Sequence, residues 1–173
     1  MASEGKSEKV DSKKIAEYVM KMGYVPILLR VKSKIPVLPG WQKTTKEKAL
    51  GKFTNSVINN NVGIVTGESS GIIVIDVDNR ENGIGKWKEQ EQKYGEIKTY
   101  VVKTGSGGFH YYFKYDAKYS GCRKIGGKGL DVKVNGGQVV AAGSIHPSGE
   151  IYTVTRNFDV IAIPEWVISY VFG

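Results

Sequence analysis

Cysteine and histidine are scarce in this sequence, which has one thiol, Cys122, and two imidazoles, His110 and His146. A single thiol forms no internal disulfide, and these three side chains are too few for a structural zinc site of the usual four ligands. A reducing, cytoplasmic setting is the expectation. Long apolar runs are lacking too. The longest strongly apolar stretch, Ile72 to Ile75, is far below the ~18 residues of a membrane span, and Met1 to Lys14 has no apolar core of the kind a signal peptide needs. No membrane partner is expected. A motor-type phosphate loop, G-x-x-x-x-G-K-[ST], is missing: only Gly5-Lys6-Ser7 remains of it, with no preceding glycine. The second half of the chain does not repeat the first.

What is present is an ordinary globular composition on 173 residues, 40% hydrophobic and 24% charged. That suits one folded domain, read here as residues 11–173 behind a flexible tail at 1–10. Lys+Arg outnumber Asp+Glu by 25 to 17, a net charge of +8 that favours polyanionic partners such as nucleic acid or nucleotides. Glycine is abundant at 22 residues and clusters between Gly105 and Gly149, which implies tight turns or close backbone approach to a ligand.

Periodicity predicts a helix from Asp11 or Ser12 to Gly23, a strand at Val25–Val31, and a loop without regular structure around Pro36, Pro39 and Gly40. Thr44 or Thr45 is positioned to cap a short helix. Strands at Val62–Thr66 and Gly71–Val77 are expected to pair at the centre of a sheet, covered by a charged helix over Gly83–Tyr94. Five further strands follow, at 99–104, 109–115, 130–134, 138–142 and 151–154, and Pro164 starts a terminal helix. The fold class is α+β.

The sharpest chemical feature is the end of the apolar strand, Asp76-Val77-Asp78. Residues two apart share a strand face at ~6.6 Å, so both carboxylates point one way and call for a cation, Mg²⁺ or Mn²⁺. The competing reading is an acidic turn built on Asp78-Asn79. A glycine loop, Thr104-Gly105-Ser106-Gly107-Gly108, then leads into Phe109-His110. Its backbone can approach an anion and His110 can hold a phosphate oxygen, or the segment is a hairpin turn with a core histidine. In Leu130-Asp131-Val132-Lys133 the apolar residues face the core. Asp131 then either completes a three-carboxylate cluster or forms a surface ion pair with Lys133. Ser144 and His146 either contact a triphosphate or stabilise a turn.

The order D-x-D, then Gly108-Phe109-His110, then Leu130-Asp131, resembles the primase/polymerase domain of the archaeo-eukaryotic primase superfamily, found at the front of plasmid, viral and phage replication proteins. Lys34-Ile35-Pro36-Val37 with Gly40-Trp41, Val62 to Gly67, and Ser144 to Gly149 extend the similarity over residues 10–165. Where the family usually has serine in its second motif, this chain has Gly108, and it lacks the zinc-stem cysteines. The resemblance implies a mixed or antiparallel sheet core, RRM-like in its catalytic half, with flanking helices. It also implies a template-dependent nucleotidyltransferase, a DNA primase and DNA polymerase, with Asp76, Asp78 and Asp131 as metal ligands and His110 at the nucleotide. Ser106, Gly107, Gly108, Lys103, Lys133, Ser144 and His146 are the further nucleotide-binding candidates. The expected partners are DNA template and primer, dNTP or NTP, and a helicase domain or protein, with the domain itself a monomer. A non-catalytic single-strand-binding module and a metal-dependent nuclease are the alternatives.

Overall fold

The apolar run that stood out in the sequence forms the middle of the larger sheet. The computed structural model describes residues 9–173, in the order α1 (Ser12–Lys21), β1 (Val25–Val31), α2 (Lys46–Ala49), β2 (Asn60–Val65), β3 (Ile72–Val77) and α3 (Gly83–Tyr94). Then follow β4 (Val101–Lys103), β5 (Phe109–Lys114), β6 (Arg123–Ile125), β7 (Leu130–Lys133), β8 (Gln138–Val140), β9 (Thr153–Arg156) and α4 (Glu165–Phe172). Two antiparallel sheets result, one ordered β1-β2-β8 and the other β6-β7-β3-β5-β4-β9. The architecture is α+β and consistent with a primase/polymerase fold.

Alternation along β3 divides its residues between two cores. Ile73, Ile75 and Val77 face α3 and α4 and pack with Trp87, Tyr111, Phe113, Leu130 and Val167. Ile72 and Val74 face the smaller sheet and pack with Val62, Ile64, Tyr112 and Val139. A strand covered on both faces needs an apolar run rather than an alternating one, which is why Ile72–Ile75 is unbroken. The cover of the smaller sheet ends after Val74, and the next residue on that face is Asp76.

Several expectations are corrected. β2 and β3 do not form a pair at a sheet centre: they belong to different sheets, packed face to face through Val62, Ile64, Ile72 and Val74, and the only ladder contact in the turn that joins them is the isolated Gly67–Ile72 bridge. Each already has partners on both edges, β1 and β8 for β2 and β5 and β7 for β3, so neither has a free edge for the other. The proline loop carries a 3-10 turn at Trp41–Lys43 and a Leu29–Pro36 bridge that folds it back on β1. The last strand begins at Thr153, two residues later than Ile151, and β6 was not anticipated. Of the expected tail, residues 1–8, with Gly5-Lys6-Ser7, lie outside the described residues. Val10 is buried and its N–H donates to Asn59 Oδ1 at 3.3 Å, so the packed chain begins before residue 11.

The N-terminal helix illustrates how local chemistry sets the boundaries. Asp11 caps α1 by accepting from the Lys14 N–H at 3.1 Å, and Gly23, at φ 88°, leaves the helix in the left-handed conformation. Ala16 and Val19 are its buried face. Thr45 takes the N-cap position of α2 without a side-chain cap bond.

Candidate active site

Register places three of the sequence-selected residues side by side. Asp76 on β3 is directly opposite His110 on β5 and directly opposite Asp131 on β7. In an antiparallel pair, directly opposed residues share a face with Cβ atoms about 5 Å apart, so the imidazole and the two carboxylates form one row across the sheet. His110 Nε2 lies 3.7 Å from Asp76 Oδ1. Asp78 follows just past the end of β3, where its N–H donates to Gly129 O at 3.0 Å. The row opens into a cleft of about 410 Å³ that also includes Lys133.

The charges in the cleft are balanced by the chain itself. Arg80 Nε meets Asp78 Oδ2 at 2.5 Å, and the Arg80 N–H donates to Asp78 Oδ1 at 2.6 Å. Lys133 Nζ meets Asp131 Oδ2 at 3.0 Å. Lys124, opposite Asp131 on β6, and Lys34, from the loop after β1, complete the lining. Four cations therefore surround three carboxylates, leaving the cleft net positive and suited to a polyphosphate.

Three buried polar atoms in the lining lack partners among the described residues: His110 Nδ1, the Tyr152 hydroxyl and Gln138 Oε1. Buried polar groups are normally hydrogen-bonded, so three orphans lining one cleft point to a ligand that satisfies them. Burial pushes the His110 pKa below its usual value, against the opposing pull of Asp76, so the ring is neutral at pH 7. Burial and, after it, the charge of Asp76 push the Tyr152 hydroxyl up, which keeps its proton in place as a donor.

The donor set suits a hard divalent cation, since Mg²⁺ and Mn²⁺ prefer carboxylate oxygens and Asp76 has no lysine or arginine partner among the described residues. In the present rotamers Asp78 turns to Arg80 and Asp131 to Lys133. Among the described residues no three His, Cys, Asp or Glu side chains are gathered around one point. The Asp78–Arg80 pair is partly exposed, at 25% and 51%, and exposed pairs are typically worth under ~1 kcal/mol, so releasing that carboxylate costs little.

The remaining candidates divide sharply. The loop 104–108 is a hairpin turn between β4 and β5 whose polar groups bond internally. Gly107 N–H donates to Thr104 O, Gly108 N–H to Thr104 Oγ1, and Ser106 Oγ pairs with Thr104 Oγ1. In this conformation Ser106 and the Gly107 and Gly108 amides are engaged within the turn itself. Lys103 is directly opposite Phe109, one residue out of step with His110, and therefore stands on the other face of the sheet. Ser144 is fully buried and bonded to both backbone groups of Val62, so it fastens β2 rather than a triphosphate. His146 Nδ1 accepts from the Ser148 N–H at 3.0 Å, and Ser148 Oγ donates to Gly105 O at 3.1 Å, so this loop buttresses the hairpin turn.

Gly108 has a steric reason. A Cβ there would lie 2.6 Å from Val77 O, because the start of β5 runs hard against the end of β3. Glycine permits the contact that sets His110 beside Asp76.

Arg80, Lys34, Lys124, Gln138 and Tyr152 line the cleft but were not selected from the sequence. Arg80 had a local signal, a cation two residues after the second aspartate of D-x-D. The other four come from distant segments and are brought together only by the two sheets.

Residues 16–166 match the family model described as bifunctional DNA primase/polymerase, N-terminal. No curated protein matches the chain. Among the described residues no helix is long and apolar enough to cross a membrane.

Proposed function

The chain belongs to the bifunctional DNA primase/polymerase N-terminal family, with a replication function of the primase/polymerase type, and from that premise we propose that this cleft joins nucleotides on a DNA template. The observation that carries the reading is the row His110–Asp76–Asp131, set by strand register and opening on a net positive cleft. Asp76, Asp78 and Asp131 are the residues to hold Mg²⁺ or Mn²⁺. Held there, the ion would supply a lowered pKa for an attacking 3′-hydroxyl and charge neutralisation at the α-phosphate.

The protein's own part is positioning and charge. Asp76 sits inside the hydrogen-bonded ladder and fixes the site relative to the sheet, while Asp78 and Asp131 exchange their present cations for the ligand. Arg80 and Lys133, which line the same cleft, are the cations that would offset the phosphate charge once released. His110 and Tyr152 supply hydrogen bonds that fix one orientation of the triphosphate. No side chain is required as a covalent nucleophile.

The test is extension of a labelled primer on a DNA template with dNTP or NTP and Mn²⁺, for the wild type and for Asp76→Asn. Extension by the wild type and loss of at least ~100-fold in the variant is the expected result, a magnitude typical of removing a group that stabilises charge in the transition state. Strand cleavage instead of extension would identify a nuclease, and retention of DNA without either reaction would identify a binding module.

A further inference from the structure

We infer that the single-stranded template is held by the basic hairpin and the turns that follow it, residues 30–52, on the flank of the cleft that carries Lys34. The inference rests on the polymerase reading for the identity of the polyanion and adds where the strand lies.

Charge is the first observation. From Arg30 to Lys52 the chain has Arg30 and six lysines against one acid, Glu47, a net +6 out of +8 for the whole chain. All the other residues together contribute only +2. Every one of these seven basic side chains is exposed, and among the described residues none is ion-paired. A cationic stretch so concentrated is the footprint expected for phosphate contacts, whose affinity comes from counterion release.

Shape is the second. The segment after β1 folds straight back: Arg30 N–H donates to Ile35 O and Val37 N–H to Leu28 O, both at 2.9 Å, with Lys32 in the left-handed conformation at the tip. Side chains of the other strands hold the tip in place. Asn61 Nδ2 donates to Ser33 O at 3.0 Å, and Gln138 Nε2 donates to Lys34 O at 2.9 Å. Lys34 itself lines the cleft with Asp76, so a strand lying on this hairpin runs directly to the carboxylates.

Surface chemistry chooses the form of nucleic acid. Val31, Ile35, Val37 and Leu38 are interleaved with the lysines and are 39–56% exposed. In a duplex the base faces are stacked inside and such apolar side chains find nothing to cover. A single strand offers unstacked bases for them and phosphates for the lysines. An acidic protein or an anionic membrane would satisfy the charge but gives no reason for the hairpin to be aligned with the catalytic row.

The experiment measures fluorescence anisotropy of a labelled oligo-dT with the full chain, without nucleotide, over a range of salt. Lys32, Lys43, Lys46 and Lys48 are changed together to Gln, leaving the cleft-lining Lys34 in place. A control changes Lys88, Lys93, Lys98 and Lys114, exposed residues outside the segment, in the same way. The hairpin variant is expected to lose at least ~10-fold in affinity at ~100 mM salt. Its slope of log affinity against log salt should shrink by about 3, from ~0.7 per lost phosphate contact. The control variant should stay within about threefold. Equal losses in both variants, or tighter binding of the wild type to duplex DNA or to anionic vesicles than to oligo-dT, overturns the assignment. Since no nucleotide is transferred, failure of primer extension with a selective loss in the hairpin variant would sink the enzymatic reading and leave the surface standing.

Discussion

Asp76 and Asp131 occupy directly opposed positions on adjacent antiparallel strands, two carboxylates placed where a sheet normally avoids like charge. Lys133 offsets Asp131, but Asp76 has no lysine or arginine partner among the described residues, so the pair opposes stability in the absence of a further cation. In metal-free buffer Asp76→Asn should therefore match or exceed the wild type in thermal stability, by up to about 1 kcal/mol. Added Mn²⁺ should raise the wild-type midpoint and leave the variant unmoved. At a hundredfold excess over the dissociation constant the gain for one site is about 2.7 kcal/mol. Equal stabilisation of both proteins by Mn²⁺ would remove Asp76 from the ligand set.

The orphaned atoms make a second prediction. His110→Ala should weaken nucleotide binding by tenfold or more, measured by titration of a non-hydrolysable triphosphate, while oligo-dT affinity stays within about twofold. One charge-assisted hydrogen bond lost, worth ~1.5–3 kcal/mol, corresponds to that range. Unchanged nucleotide affinity would make His110 a packing residue only.

Tyr152→Phe separates ligand binding from stability. Its hydroxyl is buried without a partner, so its removal should leave the ligand-free protein as stable as before or slightly more stable, by up to ~1 kcal/mol. Nucleotide affinity should fall several-fold. A clear drop in the urea midpoint of the free protein would mean that the hydroxyl has an internal partner in solution.

Gly108→Ser restores the residue usual in the family's second motif and should nonetheless be harmful here. With Val77 O at 2.6 Å from the new Cβ, β5 must move away from β3, at a cost of ~1–3 kcal/mol typical of overpacking. Urea denaturation should show the loss, and extension should fall with it because His110 shifts relative to Asp76. Unaltered stability would mean that the two strands have room that the backbone positions do not show.

On the far face of the sheet, Arg156 grips Glu91 through Nη1–Oε1 at 2.6 Å and Nη2–Oε2 at 3.1 Å, and donates to Ile97 O at 2.9 Å. The side chains are only 22% and 10% exposed, so Glu91→Gln leaves a largely buried guanidinium with only the exposed Glu96, 3.4 Å from Nε, as counter-charge. A loss of about 1–3 kcal/mol is expected, below the range for leaving a buried charge wholly unpaired because Glu96 remains. A change below ~0.5 kcal/mol would show that the ion pair is no brace between α3 and β9.

How much of this was readable before folding depended on how local each signal was. β1 and α3 have the expected boundaries because glycines and helical or alternating patterns sit within each segment. Asp76, His110 and Asp131 were selectable because each follows or begins an apolar strand. The join between Val65 and Ile72 misled, since two neighbouring strands linked by a short turn usually pair, and only the occupancy of their other edges prevents it here. β6 escaped notice because Arg123-Lys124-Ile125 is an exposed edge strand with little apolar content. The face on which Lys103 stands was not readable because alternation fixes parity along one strand, whereas the pairing of Lys103 with Phe109 needs the register between two.

Asp76 and Asp78, two residues apart, differ in mechanical character. Asp76 is gripped by ladders on both sides of the central strand, whereas Asp78 lies beyond the last rung, in a turn where Glu81 and Asn82 adopt φ of 52° and 56°. Amide hydrogen exchange should therefore be slowest at Ile73–Asp76 and faster by orders of magnitude through residues 79–82. One carboxylate is thus a fixed datum on the sheet and its neighbour stands on a turn that can shift without disturbing the strand.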